Sequence, residues 1–390
     1  MIKKIAFVAV AAAALLICLP VSAKPKKDKK AEKFEKEVAA IVKDQEIVGA
    51  NVIVLRDNDI VLSKSYGVSN LKKGTEMTTS HIFRLGAIVR PFAVVATMQL
   101  VEQGKISLTA DISDYLGFKV RNPRYPDLPI TIKMLLTNTS TIGEPKEFLS
   151  IEYMNPDKNP DAANIFRPTG KPGVAYFATG RNALILAAIV EKVTGQRYDE
   201  YLKANVFEPL ELEGACFDPV DIDRSLLTTG YSWSQEKNDY LVNSGNIYKK
   251  HDWSDYELGE DTFKLAGTPG LGMSTNDLAR FVATIKNGGV CPFNQARILS
   301  AASVQEILRL QVHKKRSGMF FGTNSTDVEG YTVYLSTGVT YGLSTMFAFN
   351  LEDNIAVIAS CTGGKNPEAP KGRNTFNRDV RKAFVTVYAN

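Results

Sequence analysis

Strand-like alternation of apolar and polar residues near both ends of this 390-residue chain is the feature that most limits its fold. Near the amino end, residues 49–70 alternate as two strands joined by a turn at residues 57–59. Near the carboxyl end, the stretches "YTVYL", "STMFAFNL" and "NIAVIAS" between about residues 330 and 361 repeat the pattern. These strands predict one sheet that is assembled from both ends of the chain.

Helical periodicity dominates the chain between the two strand regions. Several helix boundaries are marked by local signals. These are glycines after the last helical residue, a proline in a first turn, and the pair Ser274 and Asp277 as an N-terminal cap. The helices predicted most clearly are Lys33–Lys43, Pro91–Gln103, Gly180–Thr194, one that starts at Ser274, and Asn377–Tyr388. The predicted fold class is therefore α/β of the α+β kind, an antiparallel sheet flanked by helices with a mostly helical insertion. The cleft between sheet and helices is the expected ligand site.

The first 23 residues have the pattern of a secretory signal peptide. Lys3 and Lys4 precede the apolar run Ile5–Leu19, and Val21-Ser22-Ala23 is a small-residue cleavage site. The run is shorter than a membrane-spanning helix requires, which disfavours a retained anchor. A lipoprotein that uses Cys18 is disfavoured by the bulky Ile17 before it. We therefore expect cleavage after Ala23, no stable membrane insertion afterwards, and a periplasmic or extracellular protein of a bacterium.

Residues 24–32 form a lysine-rich leader, for which a solvated spacer is the expected structure. The formal net charge of the whole chain is +5. The signal peptide carries two of these charges, and "KPKKDKK" at residues 24–30 carries five lysines and one aspartate. The rest of the chain is then close to neutral, which argues against nucleic acid as a partner.

Cysteines and histidines indicate neither a disulfide framework nor a metal site. The exported chain retains Cys216, Cys291 and Cys361, an odd number without close spacing, and the sequence leaves their pairing open. His81, His251 and His313 are scattered without ligand spacing, and a structural role is expected for His81. No metal or organic cofactor is implied.

The stretch "FRLGAIVRPF" at residues 83–92 opens a segment that resembles the serine β-lactamase and penicillin-binding-protein family. This family includes class C β-lactamases, D-alanyl-D-alanine peptidases and related esterases. The resemblance covers residues 83–142, 171–195 and 267–289, and ends near "LSTGVTYGLSTMFAFN". It implies one domain over residues 33–390, with a sheet subdomain at about 33–86 and 290–390 and a helical subdomain at about 87–289.

The resemblance also implies positions for the family's reactive side chains, and this chain departs from the pattern at four of them. The serine and lysine of S-x-x-K correspond to Ala87 and Arg90. The tyrosine of Y-x-N remains as Tyr176, but its amide position is Ala178. At the third motif, K-T-G or H-x-G, Ser336 replaces the basic residue. A methyl group cannot attack a carbonyl, and a guanidinium cannot act as a base.

Backbone positions of the family site are retained. Thr337 and Gly338 match the third motif, and the resemblance implies an oxyanion hole made by the backbone N–H groups of Ala87 and Val339. Arg90 and Tyr176 complete the predicted ligand-binding set. We expect a pocket that holds a carboxylate or acyl ligand without cleaving it. In the alternative interpretation, Arg90 pairs with a nearby acid or points to solvent.

Two further functions remain open at this stage. One is an active hydrolase with an unrecognised nucleophile, for which Ser336 is the candidate; Ser80 and Ser140 also lie near motifs, but none has a base at a suitable spacing. The other is a scaffold whose cleft is unused. The favoured partner is a small molecule or peptide derived from the cell wall. The sequence does not identify the natural ligand, residual activity or oligomeric state.

Overall fold

The computed structural model describes residues 28–218, 220, 222–243, 252–267, 270–311, 318–324, 327–365 and 375–389. The predicted signal peptide, the first four residues of the predicted leader, His251 and His313 lie outside these ranges. Within them, no helix is both long enough and apolar enough to cross a bilayer.

Within the described ranges, an antiparallel sheet of seven strands is built from both ends of the chain, in the order β3-β2-β1-β11-β10-β9-β8. Strands β10 and β11 in its middle are buried along their whole length. Two short antiparallel pairs, β4 with β7 and β5 with β6, lie outside this sheet. The strands are β1 Gly49–Arg56, β2 Asp59–Asn70, β3 Thr75–Glu76, β4 Ile82–Arg84, β5 Tyr231–Ser234, β6 Asp239–Val242, β7 Gly272–Ser274, β8 Gly322–Asn324, β9 Val333–Thr340, β10 Leu343–Asn350 and β11 Ile355–Thr362.

Helices cover both faces of the sheet. On one face, α1 and α10 pack Phe34 and Phe384 against inward residues such as Val52 of β1. On the other face, a larger core joins Ile53 and Phe347 to the remaining helices. The helices are α1 Lys29–Asp44, α2 Val89–Glu102, α3 Ile112–Leu116, α4 Ile132–Leu136, α5 Arg181–Thr194, α6 Tyr198–Leu202, α7 Thr262–Gly267, α8 Thr275–Lys286, α9 Ala301–Leu308 and α10 Phe376–Tyr388.

The predicted sheet and helical insertion are confirmed, and several local signals act as expected. Asp57 and Asn58 form the β1–β2 turn with positive φ angles of 50° and 70°, the conformation that suits a two-residue hairpin. The Ser274 hydroxyl accepts a hydrogen bond from the Asp277 N–H at 3.0 Å and caps α8. Gly195 ends α5 in the left-handed conformation, which a glycine adopts without strain.

Two boundaries differ from the sequence prediction. The first helix begins at Lys29, four residues before the predicted Lys33, because Asp28 caps it by accepting from the N–H groups of Lys30 and Ala31. The last four residues of the lysine-rich leader are therefore helical and are not a spacer. Strand β9 continues past "YTVYL" to Thr340, so Ser336, Thr337 and Gly338 belong to a strand.

One close backbone approach fixes where the sheet meets the helical part. Among the described residues, strand β8 pairs with β9 only at residues 333–335, which leaves this edge of β9 without a strand partner from Ser336 onward. The segment that leads into α2 lies against this free edge: a Cβ added to Gly338 would lie 1.7 Å from the Leu85 carbonyl oxygen and 3.0 Å from the Ala87 nitrogen. A Cβ added to Gly86 would lie 3.1 Å from the Val339 nitrogen. Glycine at position 338 is thus required by space.

We expect Gly338→Ala to destabilise the protein by about 1–3 kcal/mol, because the edge of β9 must move away from Leu85 to admit the methyl group. Gly180→Ala is the matched control. Gly180 has a φ of −70°, and its added Cβ would have ordinary contacts at 3.4 Å, so this change should be neutral or slightly stabilising. Urea denaturation of both variants measures the difference; equal midpoints would contradict the predicted steric conflict.

Candidate functional site

The segment that leads into α2 presents unsatisfied backbone donors to the cleft. Leu85 is tied back by its N–H to the Leu271 carbonyl oxygen at 3.0 Å, and Gly86 turns the chain with a φ of 54°. A 3-10 turn over Gly86–Ile88 then leads directly into α2. The first N–H groups of such a run have no partner within the helix, so the Ala87 N–H is available to a ligand.

The second donor comes from the free edge of β9. Strands β9 and β10 are joined by a two-residue turn, Tyr341-Gly342, whose φ angles of 46° and 78° are both positive. In such a hairpin the flanking pair Thr340 and Leu343 is hydrogen-bonded, and the next pair along the strands is not. The Val339 N–H therefore points away from β10 and toward the segment around Gly86. The Ala87 and Val339 nitrogens thus both lie at the contact between β9 and the segment around Gly86, and the oxyanion hole stays a prediction.

Arg90 is half-buried on the first turn of α2. Burial lowers the pKa of its guanidinium, and the nearby charge of Glu144 and the hydroxyl of Tyr176 act in the opposite direction. Among the residues that the structure describes, the Arg90 side chain makes no hydrogen bond and no ion pair. Of the two predicted alternatives, a close pairing with an acid is therefore not observed in the described ranges.

Tyr176 and Ala178 lie on a loop that a buried amide network positions. Asn138 accepts from the Phe177 N–H through its carbonyl oxygen at 2.9 Å, and its side-chain oxygen accepts from Asn182 at 3.1 Å. The Ser140 hydroxyl donates to the Asn182 side-chain oxygen at 2.8 Å. Ser140 is fully buried, and its hydroxyl is used in this network and in accepting from the Ile142 N–H, so its role is structural.

Aromatic side chains line the mouth of the cleft. Tyr176 and Tyr341 are about two-fifths exposed, at 38% and 39%, so buried packing is not their role. The Tyr341 ring stacks against the Arg84 guanidinium at 4.6 Å from the ring centre. Phe177 is partly buried and stacks against Arg167 at 4.7 Å.

Glu144 is a functional candidate that the sequence did not indicate. Its Oε1 accepts from the Gly180 N–H and from the Thr179 hydroxyl, the latter at 2.9 Å. Burial acts to raise the pKa of this carboxyl, but these two donors together with the charges of Arg181 and Arg90 hold the pKa below its usual range. Glu144 is thus a stable anion near the cleft, and no sequence spacing points to it, because its donors follow 35 residues later.

The third-motif residues divide between the two faces of the sheet. Ser336 lies opposite Phe347, which belongs to the core beneath the helical part, so Ser336 is on the cleft side. Thr337 lies opposite Met346, which belongs to the core beneath α1 and α10. The Thr337 side chain therefore leaves on the other face, and Thr337 can contribute to the cleft through its backbone. Within the described part of the chain, the Ser336 hydroxyl has no hydrogen-bond partner that could serve as a base.

The remaining sequence candidates lie in structural positions. His81 is buried, its Nδ1 contacts the N–H and the hydroxyl of Thr78, and burial lowers its pKa. Ser80 is exposed and accepts from Asn276 at 3.5 Å. Cys216, Cys291 and Cys361 are buried thiols without a disulfide bridge among them.

This arrangement can bind an anion but lacks the groups for covalent catalysis at the family positions. Ala87 and Val339 supply two N–H donors, and Arg90 supplies a charge beside the start of a helix. The side chains at positions 87 and 90 supply neither a nucleophile nor a base. The carboxylate of an extended ligand fits these groups in its charge and in its hydrogen-bond acceptors.

Three features together define the class of serine β-lactamase and transpeptidase-like proteins. They are the antiparallel sheet, the helical insertion, and the start of α2 that faces the edge of β9. The family model described as Beta-lactamase matches residues 34–382. The chain therefore belongs to the beta-lactamase family.

Comparison with individual proteins gives distant relatives. The chain is 25% identical over 251 residues to Protein flp of Staphylococcus aureus strain MRSA252, covering 60% of this chain and 45% of that protein. It is 25% identical over 231 residues to the teichoic acid D-alanine hydrolase of Staphylococcus aureus, covering 57% and 55%. The chain thus spans about half the length of these curated relatives.

Solved structures agree in fold. The octameric penicillin-binding protein homologue from Pyrococcus abyssi superimposes with a TM-score of 0.71 at 20% identity, over 92% of this chain and 77% of that one. This likeness confirms the predicted fold class.

Proposed function

We propose that this protein is an exported, non-catalytic member of the beta-lactamase family that binds a carboxylate or acyl ligand in its cleft. The observation that carries the proposal is the half-buried Arg90 beside the backbone donors of Ala87 and Val339. Arg90 is partly desolvated and, in the described ranges, makes no direct ion pair, although the charge of Glu144 lies near it. A bound anion would supply the direct contact that Glu144 does not make.

The absence of a covalent step follows from the two residues that replace S-x-x-K. The Ala87 side chain is a methyl group, and the Arg90 guanidinium remains protonated at physiological pH despite its lowered pKa. The family's acyl-enzyme route needs a hydroxyl and a proton acceptor at these two positions. Both requirements are lost together, whereas the backbone donors do not depend on side chains.

The names of relatives guide the choice of ligand. One relative is a teichoic acid D-alanine hydrolase, and one similar structure is a beta-lactamase/D-alanine carboxypeptidase from Pseudomonas syringae. The carboxylate ligands that we propose therefore include one that ends a D-alanine unit, such as the end of a cell-wall peptide. N-acetyl-D-alanine is a suitable soluble probe because it carries this carboxylate without an amino charge.

Export is the part of the proposal that rests on the first 23 residues. Protein recovered from the periplasm or medium of a bacterial host should begin at Lys24, which N-terminal sequencing and intact mass would establish. Recovery of the uncleaved chain in the cytoplasm would contradict export.

An active hydrolase that uses Ser336 is the second candidate, because this hydroxyl lies on the cleft side of β9. We expect neither covalent labelling by a fluorescent penicillin nor turnover of p-nitrophenyl butyrate above a heat-inactivated control, since no base accompanies Ser336 among the described residues. Mass spectrometry of the incubated protein measures the adduct. A stable acyl group on Ser336, or turnover lost in Ser336→Ala, would establish the hydrolase instead.

Binding of N-acetyl-D-alanine should depend on the guanidinium. Loss of a charge-assisted hydrogen bond costs about 1.5–3 kcal/mol of binding free energy, so Arg90→Ala should raise the Kd about 10- to 100-fold. Calorimetry measures the Kd of both proteins. Arg90→Lys keeps the charge without the planar fork, and should retain part of the affinity. Equal affinity of the native protein and Arg90→Ala would remove Arg90 from the site.

A further inference from the structure

A partly enclosed cavity of about 170 Å³ lies beside the anion site. Small or aliphatic side chains from α2, α5 and α7 form six of its thirteen wall residues, and the rings of Tyr198 and Phe217 add to the apolar wall. The apolar lining includes Val89, Ala93, Ala183, Leu184, Ala187 and Leu265. A cavity with such a wall is not filled by ordered water as readily as a polar one, and it favours an apolar occupant.

The cavity starts where the proposed ligand head would lie. Gly86, Val89 and Ala93 all line it, and their spacing of three and four residues places them along one side of the start of α2. Arg90 follows Gly86 by four residues and flanks this same side. Thr340, on the cleft side of β9 like Ser336, lines the cavity opposite α2. A ligand whose head contacts the donors of Ala87 and Val339 can therefore extend into the cavity.

Two of the four polar side chains in the wall, Arg84 and Thr262, are already engaged by the protein; the other two are Tyr198 and Thr340. The Arg84 guanidinium stacks on the Tyr341 ring. The Thr262 hydroxyl donates to Glu191 Oε2 at 2.6 Å. These two contacts use polar groups within the protein, so the cavity offers an occupant mainly the apolar side chains of its wall, which suit hydrocarbon.

The wall formed by residues 256–265 is fixed before any ligand binds. Glu191 of α5 is fully buried and accepts four hydrogen bonds: from the Tyr198 N–H, the Tyr256 hydroxyl, the Gly259 N–H and the Thr262 hydroxyl. This carboxylate attaches the segment that leads to Leu265 firmly to α5. The cavity is therefore a preformed space and not a loose gap between elements.

We propose that the cavity holds the unbranched alkyl tail of a monocarboxylate, with the carboxylate at the Ala87 and Val339 N–H groups and Arg90. The tail assignment rests on the proposed function and adds the chemical class of the ligand. The volume corresponds to about six groups of water size, at roughly 30 Å³ each. The structure thus favours a saturated tail of about five or six carbons, such as the five-carbon tail of hexanoate.

Calorimetry with sodium acetate, butyrate, hexanoate and decanoate tests the tail, with hexanol as a neutral probe of equal length. Between acetate and hexanoate, each added methylene should lower the Kd about fourfold, because it is buried in the cavity. Decanoate should have about the same Kd as hexanoate, because the cavity is then full. Hexanol should bind at least tenfold more weakly than hexanoate, because it lacks the charge that pairs with Arg90.

A matched pair of variants on α5 locates the tail. Leu184 and Val193 are both partly buried and pack against the same core, but Leu184 lines the cavity and Val193 does not. Leu184→Trp should abolish the gain in affinity between acetate and hexanoate, and Val193→Trp should preserve it. Thermal unfolding of both variants reports whether each is folded, and the chain-length series on the native protein tests the tail independently of either variant.

Each failure identifies which proposal is wrong. Arg90-dependent binding of acetate or N-acetyl-D-alanine without a chain-length effect would overturn the tail assignment and leave the proposed function intact. No binding of any carboxylate would overturn both. Equal affinity for hexanol and hexanoate would show that the cavity binds hydrocarbon separately from the anion site, which also contradicts the assignment.

Discussion

The contact between the free edge of β9 and the segment that precedes α2 is the constraint on which the cleft depends. Gly338 lies so close to the Leu85 carbonyl that no side chain fits between them. This contact fixes the start of a helix against the edge of a sheet, and the two backbone donors of the site lie on its two sides. The geometry of the site is thus a property of the main chain, which explains how it can persist when reactive side chains do not.

The side chains at the same place have a different chemistry. A family hydrolase uses a hydroxyl and an amine that exchange a proton, whereas this chain offers a methyl group and a permanently charged guanidinium. Arg90 is half-buried and makes no direct ion pair in the described ranges, and the free-energy cost of its desolvation supports the proposed anionic ligand. Fold similarity alone does not determine function, which has to be argued from the side chains at the site.

The sequence predicted most of the fold because local signals and long-range pattern agreed. The Asp57-Asn58 turn, the Ser274 cap and the Gly195 stop each mark a boundary that the structure confirms. The positions of Ala87, Arg90 and Ser336 followed from family motifs. Glu144 and the apolar cavity were missed, because contacts between residues distant in the chain carry no periodic signal. The early start of α1 was missed because a lysine-rich segment looks unstructured until its Asp28 cap is considered.

Glu191 is a buried carboxylate that joins α5 to the segment before and within α7. Burial raises the pKa of this carboxyl, although the four hydrogen bonds that the carboxyl accepts act to lower it. Keeping the carboxylate charged at this position therefore costs free energy of desolvation. Three of the four donors lie in residues 256–262, so one buried carboxylate attaches this segment to α5 at three points.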